Sequence, residues 1–168
     1  MKTKNITYIA IFSAIVCIMS VISIPTPWGI PFTLQTFAIS LAGFTLGKKY
    51  GTLCIFIYLL LGAIGLPVFS GLTGGISRFV SVSGGFLFGF IFLAFLCGTK
   101  NIFYSILGLF ICHFLGVIQF SFLTKTNFIN SIFIVSLPYI IKDFLSIFLA
   151  YFVSKKIKLV TPFYIKKR

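Results

Sequence analysis

The chain has 168 residues, of which 59% are apolar, 18% aromatic and only 9% charged, with a formal net charge of +13 and a mean hydropathy of +1.15. A soluble domain needs roughly a quarter of its residues charged, and disorder needs low hydrophobicity, so both classes are excluded and an integral membrane protein remains. The 14 Lys and Arg residues face a single acid, Asp143. A nucleic-acid binder would gather such charge on a folded polar face, whereas here it lies at the ends of apolar runs.

Residues 5–24 form a first apolar run of spanning length, about 20 residues. Pro25, Pro27, Gly29 and Pro31 then exclude a helix and define an outer loop over 25–33. A short second helix of about 20 Å is expected over 34–46, and Lys48 and Lys49 mark a water-facing turn. The third helix, 50–65, ends at Gly65 and Pro67. Residues 66–85 carry Gly71, Gly74, Gly75, Gly84 and Gly85 among several Ser and Thr, too many breakers for a regular span. Irregular backbone at membrane depth lines a cavity or is buried in protein, so this second outer loop is a candidate wall of a binding site. Helices over 86–98, 102–122 and 128–153 complete a single membrane domain, an all-α six-helix bundle.

Six spans place both termini on one side. That side carries Lys2, Lys4, Lys48, Lys49, Lys100, Lys155, Lys156, Lys158, Lys166, Lys167 and Arg168, against Arg78 and Lys125 in the opposite loops. Basic residues concentrate on the cytoplasmic side, so both termini are expected to be cytoplasmic and the 25–33 and 66–85 loops to face outward. The chain is then a multi-pass protein of the cell membrane, in contact with lipid.

Lys142 and Asp143 interrupt the sixth helix. A charge inside the membrane is expensive and marks a functional site by default, the alternative being an ion pair that only fixes helix packing. Adjacent helical residues point about 100° apart and neutralise each other poorly, which favours a ligand role for Asp143 above all. Ala10 and Ala14 present a small-xxx-small face on the first helix, and Gly43 and Gly47 repeat the spacing on the second. His113 and Gln119 are the main polar side chains of the fifth helix. No second His, Glu or ligating Cys completes a shell around His113, so it reads as a packed, hydrogen-bonded residue, and no metal or cofactor is assigned. Cys17, Cys54, Cys97 and Cys112 read as small buried hydrophobes. A single acid cannot supply a carboxylate pair. The Gly43 to Lys48 stretch is one residue short of a phosphate loop, with Lys49 where Ser or Thr would stand. The chain is therefore expected not to be an enzyme and not to hydrolyse ATP itself.

The stretch Ile30-Pro31-Phe32-Thr33-Leu34-Gln35-Thr36-Phe37, running through Leu41-Ala42-Gly43 to Leu46-Gly47-Lys48, resembles the signature of the BioY family, the biotin-specific S components of energy-coupling factor (ECF) transporters. Tyr58 to Phe69, Gly74-Gly75, Gly84-Gly85-Phe86 and Gly89-Phe90 continue the likeness over nearly the whole chain. The chain departs from that pattern at Ser81-Val82-Ser83 and at Ser146, where relatives carry Gly-Pro-Thr and a Lys. The resemblance implies a six-helix bundle that captures biotin near the outer side and docks, through Ala10 and Ala14, on a transmembrane coupling protein with two ATPase subunits. It implies further that Asp143 accepts from a ureido N–H, that Gln35 and nearby hydroxyls serve the ureido carbonyl, and that Phe86 or Tyr139 packs on the bicycle. Arg78 or Lys142 would take the carboxylate, and the loop with Gly74, Gly75, Gly84 and Gly85 would close as a lid. Competing expectations are an S component for another vitamin, a structural or assembly protein of the membrane, and a transporter acting alone.

Overall fold

The computed structural model describes residues 3–157; Lys2, Lys158, Lys166, Lys167 and Arg168, counted above for orientation, lie outside them. Six helices run in the order α1 (Thr3–Val21), α2 (Gln35–Ala63), α3 (Gly84–Cys97), α4 (Ile102–Thr124), α5 (Phe128–Val135) and α6 (Leu137–Ile157). By length and composition α1, α4 and α6 can each cross a membrane, α2 reaches that length only when its two legs are counted together, and α3 is a shorter apolar helix.

Although α2 holds 29 consecutive residues, it is a hairpin of two legs, 35–46 and 48–63. Gly47 between them has φ 79°, ψ 176°, a left-handed conformation that glycine adopts without a steric penalty. The reversal brings Gln35 Nε2 to donate to the Tyr58 hydroxyl at 2.6 Å; in one straight helix those residues would stand about 35 Å apart. Lys48 and Lys49 thus sit at a turn, as their sequence signals.

The expected sixth helix differs from what forms. It is kinked at Ser136 (φ −114°, ψ −55°) into α5 and α6. Pro138, the second residue of α6, has no N–H for the carbonyl four residues back, and a proline opens the helix at that point. The first helix stops at Val21 rather than Ile24, because Ser23–Ile24 (β1) pair antiparallel with Phe32–Thr33 (β2). This two-stranded ribbon satisfies backbone groups that three prolines and a glycine keep from being helical. The second loop also ends earlier than expected, since Gly84 and Gly85 open α3.

Packing is organised around α2 and α3. Helix α3 lies between α2 and α4, while α2 also carries α1 and α6. Phe44, Ile39, Ile55, Tyr58 and Leu93 are fully enclosed there with Val16 and Ile147. A Cβ on Gly43 would stand 2.8 Å from that of Cys97 and 2.7 Å from the Ala94 carbonyl, so glycine at 43 sets how closely α2 and α3 approach. A smaller cluster of Ile30, Val117, Phe120, Val135 and Tyr139 seats the first loop on α4, α5 and α6.

Basic residues gather at one end of the bundle. Lys48 packs on Gly98 and on the ring of Phe95, beside the turn holding Lys100. Asn5 of α1 donates to the hydroxyl of Tyr50 at 2.9 Å, and Lys155 lies over Tyr151, whose ring meets Phe44. The two irregular loops meet at the other end, where the Gly71 N–H donates to Ser23 Oγ at 3.1 Å.

A candidate ligand site under the outer loops

Beneath the two loops lies a cavity of about 50 Å³. Its lining brings together Gln35, Arg78, Phe86, Tyr139, Lys142 and Asp143, from α2, the 3-10 turn Ile76–Arg78, α3 and α6. The four glycines are placed elsewhere. A Cβ on Gly84 would strike the carbonyl of Phe79, one on Gly85 the carbonyl of Leu115, and one on Gly74 the carbonyl of Leu66. Among the four, Gly75 alone has a positive φ, at 98°. Gly74, Gly84 and Gly85 are thus required for close packing rather than for unusual backbone angles.

Asp143 is 5% exposed and is the centre of the polar network. Its Oδ2 lies 3.2 Å from His113 Nε2, and its Oδ1 lies 2.6 Å from Lys142 Nζ. That second contact is an ion pair outside hydrogen-bond angles, so Oδ1 is engaged by charge but makes no aligned hydrogen bond among the described residues. Lys142 extends sideways from α6 and donates instead to the Thr33 carbonyl of β2 at 3.0 Å. A carboxylate only accepts, so His113 Nε2 carries the proton, and Nδ1 stands 3.0 Å from the hydroxyl of Ser136, which can donate or accept. The edge-to-face ring of Phe86, 5.7 Å away, completes the surroundings of the imidazole.

Arg78 is half-buried in the cavity wall, and among the described residues its guanidinium has no partner. The rest of the wall is mostly apolar: Ile30, Pro31, Phe69, Leu87, Phe90 and Leu109, with hydroxyls of Thr33, Thr36, Ser70 and Ser83. Tyr139 stacks on Phe32 with ring centres 4.4 Å apart, and its hydroxyl donates to the Ile30 carbonyl. Gln119 of α4 holds the second loop, donating to the carbonyls of Phe79 and Ser81, both at 2.7 Å.

Sequence reasoning placed His113 in the fold as a hydrogen-bonded residue and left it out of the site. Its partners lie 23 and 30 residues away on other elements, a distance at which helical spacing is silent. Hydroxyls near the second loop are the expected partners of the ureido carbonyl, and the cavity wall selects Ser70 and Ser83 among them, with Thr33 and Thr36 from the first loop and α2. Ala10 and Ala14, by contrast, lie on the outer surface of α1 beside Ile11 and Ile18, which are 49% and 63% exposed.

A small space with one carboxylate, two cations, several hydroxyls and aromatic walls is suited to an anionic small molecule that also donates N–H groups. In a bundle of apolar helices these features define a multi-pass membrane protein with a solute site near one face. Residues 1–163 match the BioY family. A protein named probable biotin transporter BioY, from Pyrococcus horikoshii, is 32% identical over 94% of this chain and 98% of its own. The biotin transporter BioY of Thermotoga maritima is 51% identical, over about half of each chain (52% and 52%). Among solved structures, the S-component for biotin from an ECF-type ABC transporter superposes with a TM-score of 0.86 at 30% identity, covering 94% of this chain and 92% of that one. The chain belongs to the BioY family.

Proposed function

We propose that this protein captures biotin with high affinity at the outer face of the cell membrane, as the substrate-specific component of an ATP-driven ECF-type transporter. The observation that carries this reading is the presence, in one mostly apolar cavity, of both an Asp143 oxygen that is ion-paired to Lys142 but has no aligned hydrogen bond and the guanidinium of Arg78, unpartnered among the described residues. Biotin has two ureido N–H donors at one end and a carboxylate at the other, joined by an apolar bicycle and chain. Asp143 Oδ1 accepts from a ureido N–H, a bond strengthened by its charge. Arg78 pairs with the cargo carboxylate, and Lys142 is held back by Asp143 and the Thr33 carbonyl. Gln35, whose amide already donates once to Tyr58, has a second N–H for the ureido carbonyl, joined by the hydroxyls of Thr36 or Ser70. Phe86 and Tyr139 pack on the bicycle. No protein group in this scheme forms or breaks a covalent bond, which is the behaviour of a carrier rather than an enzyme.

The cavity of about 50 Å³ holds a few waters, less than biotin, so entry requires wall residues to move. The 76–83 part of the second loop supplies that movement and carries Arg78 with it, held by Gln119 and by the Phe79–Phe88 ring contact, while buried Phe69 against Tyr58 and the Gly75 N–H bond to the Gly62 carbonyl anchor the part before it. The basic end of the bundle faces the cytoplasm, so both termini are cytoplasmic and the two loops open outward. A transmembrane coupling protein docks on the exposed small face of Ala10 and Ala14, and two ATPase subunits supply ATP hydrolysis.

Equilibrium titration of the purified protein with biotin, with riboflavin and thiamine as competitors, tests the cargo. Binding of biotin that neither vitamin displaces supports the reading; binding of another vitamin in its place removes it. Co-purification with a coupling protein and ATPases, abolished by Ala14→Trp while biotin binding persists, tests the docking face.

A further inference from the structure

We infer that His113 is the positioning residue that turns the Asp143 carboxylate toward its cargo, and so gives the cavity its selectivity for a ligand that donates N–H groups. The inference rests on the biotin reading above and adds to it a residue that touches no cargo atom in that scheme.

A carboxylate on its own rotates freely, and either oxygen of Asp143 could turn to Lys142. The structure removes that freedom at one oxygen: Oδ2 lies against His113 Nε2 at 3.2 Å. The imidazole is itself fixed, because the Ser136 hydroxyl hydrogen-bonds the opposite nitrogen at 3.0 Å and the ring is 4% exposed against Phe86. The acceptor-only carboxylate of Asp143 requires the proton on Nε2, and the Ser136 hydroxyl at the other nitrogen holds the ring in the orientation that aims that proton at Asp143. Ser136 stands at the kink just before α6 and Asp143 in the second turn of α6, and His113 reaches from α4 to both. Oδ1 is then left as the acceptor without a hydrogen bond. The charged groups around it are Lys142 at 2.6 Å from α6 and Arg78 in the wall from the second loop; α2 contributes Gln35 and α3 only Phe86, Leu87 and Phe90. Ser136 does not line this cavity. It opens onto an apolar groove between α4, α5 and α6, whereas His113 lines both that groove and the cavity, so Ser136 can be changed without touching a cargo in the cavity.

A site built to hydrogen-bond a donor rejects the analogue lacking it far more strongly than it rejects a change in apolar bulk. The experiment therefore reads a ratio: the Kd for each of the two mono-N-methyl ureido derivatives of biotin divided by the Kd for biotin, the larger value being taken. In His113→Asn the amide sits at the Nδ1 position and cannot reach Asp143, and the ratio falls at least tenfold from that of the native protein. In His113→Gln an amide N–H reaches the Nε2 position, and the ratio stays within about threefold of native. Ser136→Ala, which frees the imidazole from its other bond, lowers the ratio by several-fold with the thermal unfolding midpoint in detergent as a check on folding. Equal weakening of biotin and its derivatives in His113→Asn would show a role in folding alone and overturn the inference, as would a His113→Gln protein behaving like His113→Asn. Failure of the native protein to bind biotin is a different result: it removes the cargo reading, and the inference with it.

Discussion

The indole N–H of Trp28 donates to the hydroxyl of Tyr139 at 2.8 Å, and this bond ties the tip of the first outer loop to the wall of the cavity. The same hydroxyl donates to the Ile30 carbonyl, while the ring below it stacks on Phe32. One phenol thus anchors the β1–β2 loop at three points. Trp28 is the one tryptophan of the chain and is 36% exposed, so its fluorescence reports on this corner without labelling. Adding biotin changes the emission of Trp28. Tyr139→Phe releases the loop and abolishes that change, and it speeds biotin dissociation several-fold, as expected for hydrogen bonds worth about 0.5–1.5 kcal/mol each. Stopped-flow fluorescence measures both.

Arg78 and Lys142 divide the positive charge of the cavity, and only Lys142 is engaged. Arg78→Gln therefore weakens biotin by roughly 10- to 100-fold, the scale of a hydrogen bond to a charged group at about 1.5–3 kcal/mol. It leaves the affinity for biotin methyl ester, which has no carboxylate charge, nearly unchanged. Lys142→Gln does not erase the difference between acid and ester. Titration with the two ligands checks this, and an ester as sensitive to Arg78→Gln as the acid contradicts the assignment.

Gly85 opens α3 against α4, where a Cβ would meet the carbonyl of Leu115 and the Cα of Gly116. Gly85→Ala forces the two helices apart, at a cost of about 1–3 kcal/mol for overpacking. The measurable result is a lower unfolding midpoint in detergent, with biotin affinity falling only as far as the cavity wall at Phe86 shifts. Gly75→Ala acts differently: its neighbours leave room, but φ is 98°, so strain rather than collision destabilises the second loop.

Apolar run length and breakers made most of the bundle legible in the sequence. Gly47 followed by Lys48 and Lys49 announces the turn between the legs of α2, because two adjacent charges have no place at the centre of a span. The kink at Ser136 was hidden, since Ile134, Val135, Ser136 and Leu137 continue an apolar run and Pro138 alone signals the change. Asp143 stood out as the single acid, and the cost of burying it pointed to a site. What that acid touches could not be read along the chain: His113 and Ser136 reach it from α4 and from the kink, and only the packing of α4 on α6 sets those distances. The glycines of residues 66–85 were legible as a departure from regular helix, but composition does not separate a glycine needed for its φ, such as Gly75, from one needed for close approach, such as Gly84.

Cargo capture turns on Asp143 Oδ1, which is buried, ion-paired to Lys142 and without an aligned hydrogen bond among the described residues. Isothermal titration of biotin into the purified native protein and into Asp143→Asn tests it directly. Tight binding by the native protein and a loss of at least tenfold in Asp143→Asn, with both proteins folded to the same unfolding midpoint within a few degrees, is the predicted result. Tight binding that the substitution leaves unchanged contradicts the claim that this carboxylate receives the cargo.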